Sequence, residues 1–162
     1  MNYINDRLYA GEYVKSQFFV NKKGPNLIKR DLLNKGIDID IINDSMMHID
    51  NEKISENILY LISYFEKLSK KVSVNKLKNN ILRSLINKGY EYDDINALLK
   101  DYHFSKVNEQ MNLKKEMKRQ LQKFAGKYKN HELKNKIIKI LLGKGFLYGD
   151  IINMYALANT EG

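Results

Sequence analysis

The 162-residue sequence has no cysteine and no tryptophan, a single proline and nine glycines. Without cysteine, a disulfide scaffold, a thiolate metal site and a cysteine nucleophile are excluded. Strand-rich folds need many turns, built from Pro, Gly and Asn-Gly pairs, and these are scarce here. No apolar run is long enough for a transmembrane helix. The first ten residues carry Asp6 and Arg7 and no apolar stretch, so no signal peptide is expected and the cytoplasm is the default compartment. What is present is 43% hydrophobic and 29% charged residues, the composition of a chain with a core. Folded as one body, a chain of this length buries roughly 70% of its unfolded surface. Lys, Leu, Ile, Asn and Glu fill the long segments, and the fold class expected is all-α.

The sequence also repeats itself. The segments starting at Leu27, Asn80 and Lys136 align without gaps through Lys35-Gly36, Lys88-Gly89 and Lys144-Gly145. Their glycines lie 53 and 56 residues apart, which defines units at 1–49, 50–104 and 105–162. In each unit an Ile (Ile28, Ile81, Ile137) precedes a Leu (Leu32, Leu85, Leu141) by one helical turn, marking a buried face. The glycine just past the last apolar position suits a left-handed helix terminus, and Ile37, Tyr90 or Phe146 follows to close it. Six residues after each glycine comes Ile42, Ile95 or Ile151, inside a third helix. Asp38, Asp40, Asp93, Asp94 and Asp150 suit that helix's N-terminal dipole.

A longer helix precedes each middle helix. The first is expected to be capped by Asp6, with Tyr9, Ala10, Tyr13, Val14 and Phe18 on one stripe. Gly24-Pro25 then starts the middle helix. The second long helix is expected over 57–71 and the third over 107–129. Three units of long helix, middle helix, glycine turn and third helix give about nine helices, stacked in an elongated, curved arrangement.

Catalytic patterns are missing. His48, His103 and His131 lack metal-ligand spacing and read as surface or capping residues. Asp93-Asp94 reads as a helix start, because acids recur there in every unit. Gly143-Lys144-Gly145 lacks the Ser/Thr and the preceding strand of a phosphate loop and reads as a helix end. No nucleophile elbow is found. No enzymatic activity, cofactor or metal is expected.

Charge is more informative. The net charge is +9, and residues 104–162 hold twelve Lys and Arg against five acids, while residues 1–50 are balanced at seven each. Lys115, Arg119 and Lys123 share a helical face, with Lys114 and Lys118 beside it; Lys127, Lys129, Lys134, Lys136 and Lys139 extend the cluster. Such a stripe is an electrostatic footprint for nucleic acid. Tyrosines can stack on bases, but Tyr9, Tyr13, Tyr90 and Tyr92 fall on repeated apolar positions and are expected in the core.

The segment from Asp6 to Val14, then Lys23-Gly24-Pro25, then Arg30 to Ile37, resembles the central signature of the RecX family. The stretches around Gly89 and Gly145 resemble its C-terminal units, so the resemblance covers nearly the whole chain. Family members usually begin with another unit before the Asp-x-x-Tyr-Ala motif. Here only a few residues precede it, so the sequence resembles the C-terminal portion of a longer member.

The resemblance implies a regulator of the RecA recombinase. It would lie along the groove of the RecA–DNA filament, bridge neighbouring subunits and inhibit ATPase, recombination and SOS-related activities in DNA repair. The partners implied are the RecA filament and single- or double-stranded DNA, with no membrane. The net charge favours a monomer at low salt. Contacts are expected to be spread over the repeats, at Lys22, Lys23, Lys29, Arg30, Lys78, Arg83, Lys115, Arg119, Lys123, Lys134 and Lys139. Arg30, Arg83 and Lys139 hold one repeat position, six before the glycine. The alternative is a helix-turn-helix-like nucleic-acid-binding module acting without RecA. Its third helices, with Ile41, Ile42, Leu98 and Leu99, carry few base-reading side chains. A helical scaffold that binds protein alone is a further alternative, which the basic last unit opposes.

Overall fold

The computed structural model of the protein describes residues 3–69, 72–104 and 106–160. Among these it is all-helical, with nine α-helices and no strand. In order they are α1 (Tyr3–Lys15), α2 (Pro25–Asn34), α3 (Ile39–Met46), α4 (Asn51–Leu68), α5 (Val74–Asn87), α6 (Tyr92–Asp101), α7 (Lys106–Phe124), α8 (His131–Gly143) and α9 (Tyr148–Thr160). Long, middle and third helices thus alternate as the repeat predicts.

The ends of the middle helices follow the glycine rule. Gly36, Gly89 and Gly145 have φ of +82°, +104° and +90°, where a Cβ is strained. Each turn makes the same two bonds. The Gly36 amide donates to the Leu33 carbonyl and the Ile37 amide to that of Leu32, at 3.0 and 3.1 Å. The pairs Gly89–Ile86 with Tyr90–Leu85, and Gly145–Leu142 with Phe146–Leu141, repeat the pattern. The apolar residue after each glycine is buried, as are the Ile and Leu of each middle helix and Ile42, Ile95 and Ile151.

Helix starts depart from expectation in two places. Asp6 is not the cap of α1, which begins at Tyr3 and holds Asp6 in its first turn. Residue Asn57 does not start α4. The helix begins at Asn51 and Asp50 caps it, its Oδ1 accepting from the Lys53 amide at 2.9 Å. Asn57 is buried in the middle of that helix, and its Nδ2 donates to the Phe18 carbonyl at 3.0 Å. That carbonyl belongs to a π turn, Ser16–Val20, that follows α1. The far ends also differ. α4 closes at Leu68, while Lys71 lies outside the described residues, and α7 closes at Phe124 rather than Lys129.

The chain forms two compact bodies, residues 1–65 with 81–102 and residues 66–80 with 103–162, so the division falls within α4 and α5. In the first, Ala10, Val14, Phe18, Ile28, Leu32, Ile37, Ile41 and Ile42 form one apolar cluster. Burying such a set supplies most of the driving force for folding. In the second, Leu113, Met117, Ile137, Leu141, Phe146, Ile151 and Tyr155 do the same.

Each body contains one glycine turn packed against the start of another middle helix. In the first, the Gly24 amide donates to the Lys88 carbonyl at 2.8 Å and the Asn26 amide to the Gly89 carbonyl at 3.0 Å. Asn26 also reaches Glu91 at 2.8 Å, and the buried Tyr90 hydroxyl donates to the Lys22 carbonyl at 2.7 Å. In the second, the Ser73 amide donates to the Lys144 carbonyl at 3.4 Å, and Lys76 Nζ donates to the Gly143 carbonyl. Ser73 Oγ and Glu109 accept from the Lys76 and Val74 amides, which caps α5.

Candidate nucleic-acid interface

Helix α7 carries most of the candidate cations. Its inward stripe is Leu113, Glu116, Met117 and Gln120, all buried. A carboxylate on such a stripe needs a partner. Lys144 supplies it, with Nζ 2.7 Å from Glu116 Oε1, and Gln120 donates to the same oxygen at 2.8 Å. Arg119 adds a looser contact at 3.8 Å. Burial alone pushes the Glu116 carboxyl up, but the hydrogen bonds from Lys144 and Gln120 and the nearby positive charges outweigh it and hold the group below its ordinary value. Glu116 escaped the sequence reading because its partner lies 28 residues away. The visible signal was an acid in register with Leu113, Met117 and Gln120.

The buried stripe parts the cations of α7 into two flanks. Lys115 borders a hollow with Leu77, Phe104, Glu109 and Met111. On the other flank, Lys114 and Lys118 border an apolar groove formed with Leu121, Met154 and Leu157 of α7 and α9. Lys114, Lys115, Lys118 and Lys123 are exposed and form no ion pair among the described residues, whereas Arg119 leans on Glu116. Lys123 and Lys136 stand over the Phe124 ring at 5.3 and 5.7 Å, and Lys134 over Tyr155 at 5.8 Å. Lys139 is exposed on α8. Lys78 sits in the same body, its Nζ over Phe104 at 5.6 Å.

The first-body candidates differ. Lys23 is half-buried and paired with Asp31 at 3.5 Å, and Tyr13 donates to the same carboxylate at 3.1 Å. Burial, then Asp31, raises the Tyr13 pKa. Lys22 has φ +58°, and its Nζ stands over Tyr60 at 5.2 Å. Lys22 and Lys23 therefore serve the packing around the Gly24 turn. Lys29, Arg30 and Arg83 are exposed on α2 and α5.

Among the expected core tyrosines, Tyr90 is buried, which pushes its pKa up to about 12, and Tyr13 is half-buried. Tyr9 and Tyr92 are instead 44% and 51% exposed. Tyr92 opens α6, two residues past the buried turn position. Tyr9 lies beyond the buried stripe of α1, its ring stacked on Tyr13 at 5.9 Å with Lys35 above both. Ile41, Ile42 and Leu99 are buried, so they present no side chain to a base edge.

Among the described residues, no group of His, Asp or Glu could hold a metal ion. No helix there is long and apolar enough to cross a membrane. His48, His103 and His131 are exposed and stand apart in sequence.

Helices in threes, each middle one ended by the same Lys-Gly turn, define a protein of tandem three-helix repeats with its cationic surplus in the last repeat. The family model described as RecX, second three-helix domain, matches residues 5–46. Relatives named Regulatory protein RecX extend the likeness over most of the chain. That of Streptococcus agalactiae (strain A909) is 32% identical over 152 residues, covering 93% of this chain and 58% of the relative. Those of Bacillus mycoides and Bacillus cereus (strain 03BB102) are 35% and 36% identical over 163 residues, covering 99% of this chain and 60% of each relative. The chain belongs to the RecX family. It spans about three fifths of the length of these curated relatives. No solved structure matches it significantly.

Proposed function

We propose that this chain regulates a RecA-type recombinase by binding its filament on DNA and damping ATP hydrolysis and strand exchange. Its own contribution is to bring cations to the DNA backbone. The observation that carries this reading is the set of exposed lysines on α7, Lys114, Lys115, Lys118 and Lys123, which form no ion pair among the described residues. They flank an inward face whose one acid is already neutralised by Lys144. A surface of this kind binds phosphates without reading sequence, releases counterions and weakens with salt. Lys134, Lys139 and Lys78 lie in the same body and extend the cationic set. Lys29, Arg30 and Arg83 are the first-body candidates. Lys22 and Lys23 are secondary, since both sit half-buried beside the Gly24 turn. The partner is assigned through the RecX family membership, and the basic face supports it.

The test is RecA's DNA-dependent ATPase with this chain titrated in at two salt concentrations. Inhibition below one chain per RecA, weaker at high salt, is expected. A Lys115→Glu/Lys118→Glu/Lys123→Glu variant should lose it about tenfold or more and lower the salt slope by about three. Unchanged ATPase alongside tight duplex binding would instead favour a nucleic-acid-binding module independent of RecA.

A further inference from the structure

We infer that the Gly36 turn is a docking surface for the start of a middle helix in a further three-helix unit, the one ahead of this segment in longer relatives. The junction it would use is already present twice. The Gly89 turn receives the start of α2 at Gly24, and the Gly145 turn receives the start of α5 at Ser73. In both, the turn belongs to one unit and the helix start to the unit before it in sequence.

The Gly36 turn has the same two closing bonds and the same left-handed backbone. Its surroundings differ. A Cβ on Gly89 would lie 2.5 Å from Leu27 Cβ, and one on Gly145 would lie 2.6 Å from Ser73 Oγ. A Cβ on Gly36 would meet nothing within 4 Å. The Lys88, Gly89 and Lys144 carbonyls accept backbone amides from the docked helix start, whereas among the described residues those of Lys35 and Gly36 accept none. Asp38 stands two residues beyond Gly36, as Glu91 stands beyond Gly89, where it takes the Asn26 side chain. The exposed turn thus offers two carbonyls, a cleft without a Cβ and a carboxylate.

The occupant follows from direction and continuity. In the two filled junctions the preceding unit always supplies the helix start. The family model that matches residues 5–46 describes a second three-helix domain, which a first one precedes. The Bacillus relative also has about two fifths of its length outside the match.

The experiment fuses the segment preceding the match in the Bacillus cereus (strain 03BB102) relative ahead of residue 1 and compares amide spectra with and without it. The expected result is that the Gly36, Ile37 and Asp38 signals shift more than those of the corresponding turn at Gly145. Gly36→Asn keeps a side chain that tolerates this backbone but fills the cleft, and it should abolish the shift. A nitroxide on Lys35→Cys, in a chain with no cysteine of its own, reads docking without that variant, by broadening signals of the fused segment. Unmoved Gly36–Asp38 signals, whether or not the fused segment folds, would overturn the inference. So would shifts that grow with concentration of the unfused chain together with dimers in sedimentation, which would assign the turn to a second copy.

Discussion

The two bodies close the same kind of junction with different chemistry. In the first, backbone lies on backbone: a Cβ on Gly24 would come within 2.2 Å of the Gly89 carbonyl carbon. Nothing there can give way. In the second, Ser73, Lys76 and Glu109 surround the turn with polar side chains, and Lys144 also reaches the buried Glu116. The first junction is set mainly by close approach of main chains, and the second mainly by polar and charged side chains. One architecture is therefore intolerant of added volume in one place and sensitive to ionisation in the other.

The largest expected effect separates the filled turns from the open one. Gly24→Ala and Gly89→Ala should each cost about 4 kcal/mol or more, because the added carbon overlaps backbone that cannot shift without breaking the junction. Gly145→Ala meets Ser73 Oγ at 2.6 Å, which can rotate away, and Lys76 Cβ at 2.7 Å, which moves only with its backbone; with no main-chain atom among its nearest contacts it should cost less than Gly24→Ala or Gly89→Ala. Gly36→Ala carries the left-handed strain alone, about 1 kcal/mol. Urea unfolding of the four variants gives the order. Equal losses at Gly36 and Gly89 would show that the packing distinction is energetically empty.

A second contrast concerns the lysine before the glycine. Lys144 neutralises a buried carboxylate, and Lys144→Met should cost about 2 kcal/mol, below the roughly 3–5 kcal/mol of a fully buried pair because the lysine is partly exposed. Lys35 holds the same repeat position but only overlies Tyr9 and Tyr13, so Lys35→Met should cost about 0.5 kcal/mol. A Glu116→Met/Lys144→Met double variant should recover most of the loss. Failure to recover would mean that Lys144 acts through something other than the charge of Glu116.

Local rules made the middle helices legible. A positive-φ glycine followed by an apolar residue, and an Ile-Leu pair one turn apart, depend on neighbours in sequence, and all three turns formed as read. Helix starts were less legible because several polar residues compete for one cap. Asn57 has the chemistry of a cap, yet its amide is used inside the body on a carbonyl that a π turn presents. Tyr9 and Tyr92 fit the apolar pattern but fall just past the buried stripe. At the candidate site, the basic surplus and the α7 stripe were visible in the sequence. Its division into two flanks was not, since that depends on Glu116 and Lys144 meeting across 28 residues.

Tyr90 sharpens the contrast between turns on a smaller scale. It is the one residue following a turn glycine that carries a hydroxyl, which bonds to Lys22 across the first junction. Tyr90→Phe should cost about 1 kcal/mol through the part-buried Lys22 carbonyl left without its donor. Phe146, at the same position of the second junction, has no such bond to lose. A loss below about 0.3 kcal/mol in thermal or urea unfolding would mean that the backbone bonds at Gly24 and Asn26 hold the first junction unaided.

The smallest effect is acid dependence of the second junction. Glu116 titrates below its unfolded value in the folded protein, so its charge stabilises the fold above the usual carboxylate range, near pH 4.3 for a free Glu. That contribution is lost as pH falls through the lower folded value. Glu116→Gln should flatten the acid limb of the stability curve while leaving the Gly24–Gly89 junction unaffected. In Lys144→Met the balance reverses: burial then dominates, and the Glu116 carboxyl should titrate above its ordinary value. Carbon-detected titration of the Glu116 carboxyl in the two proteins decides this, because a value that stays low without Lys144 would place the stabilisation in Gln120 and Arg119 instead.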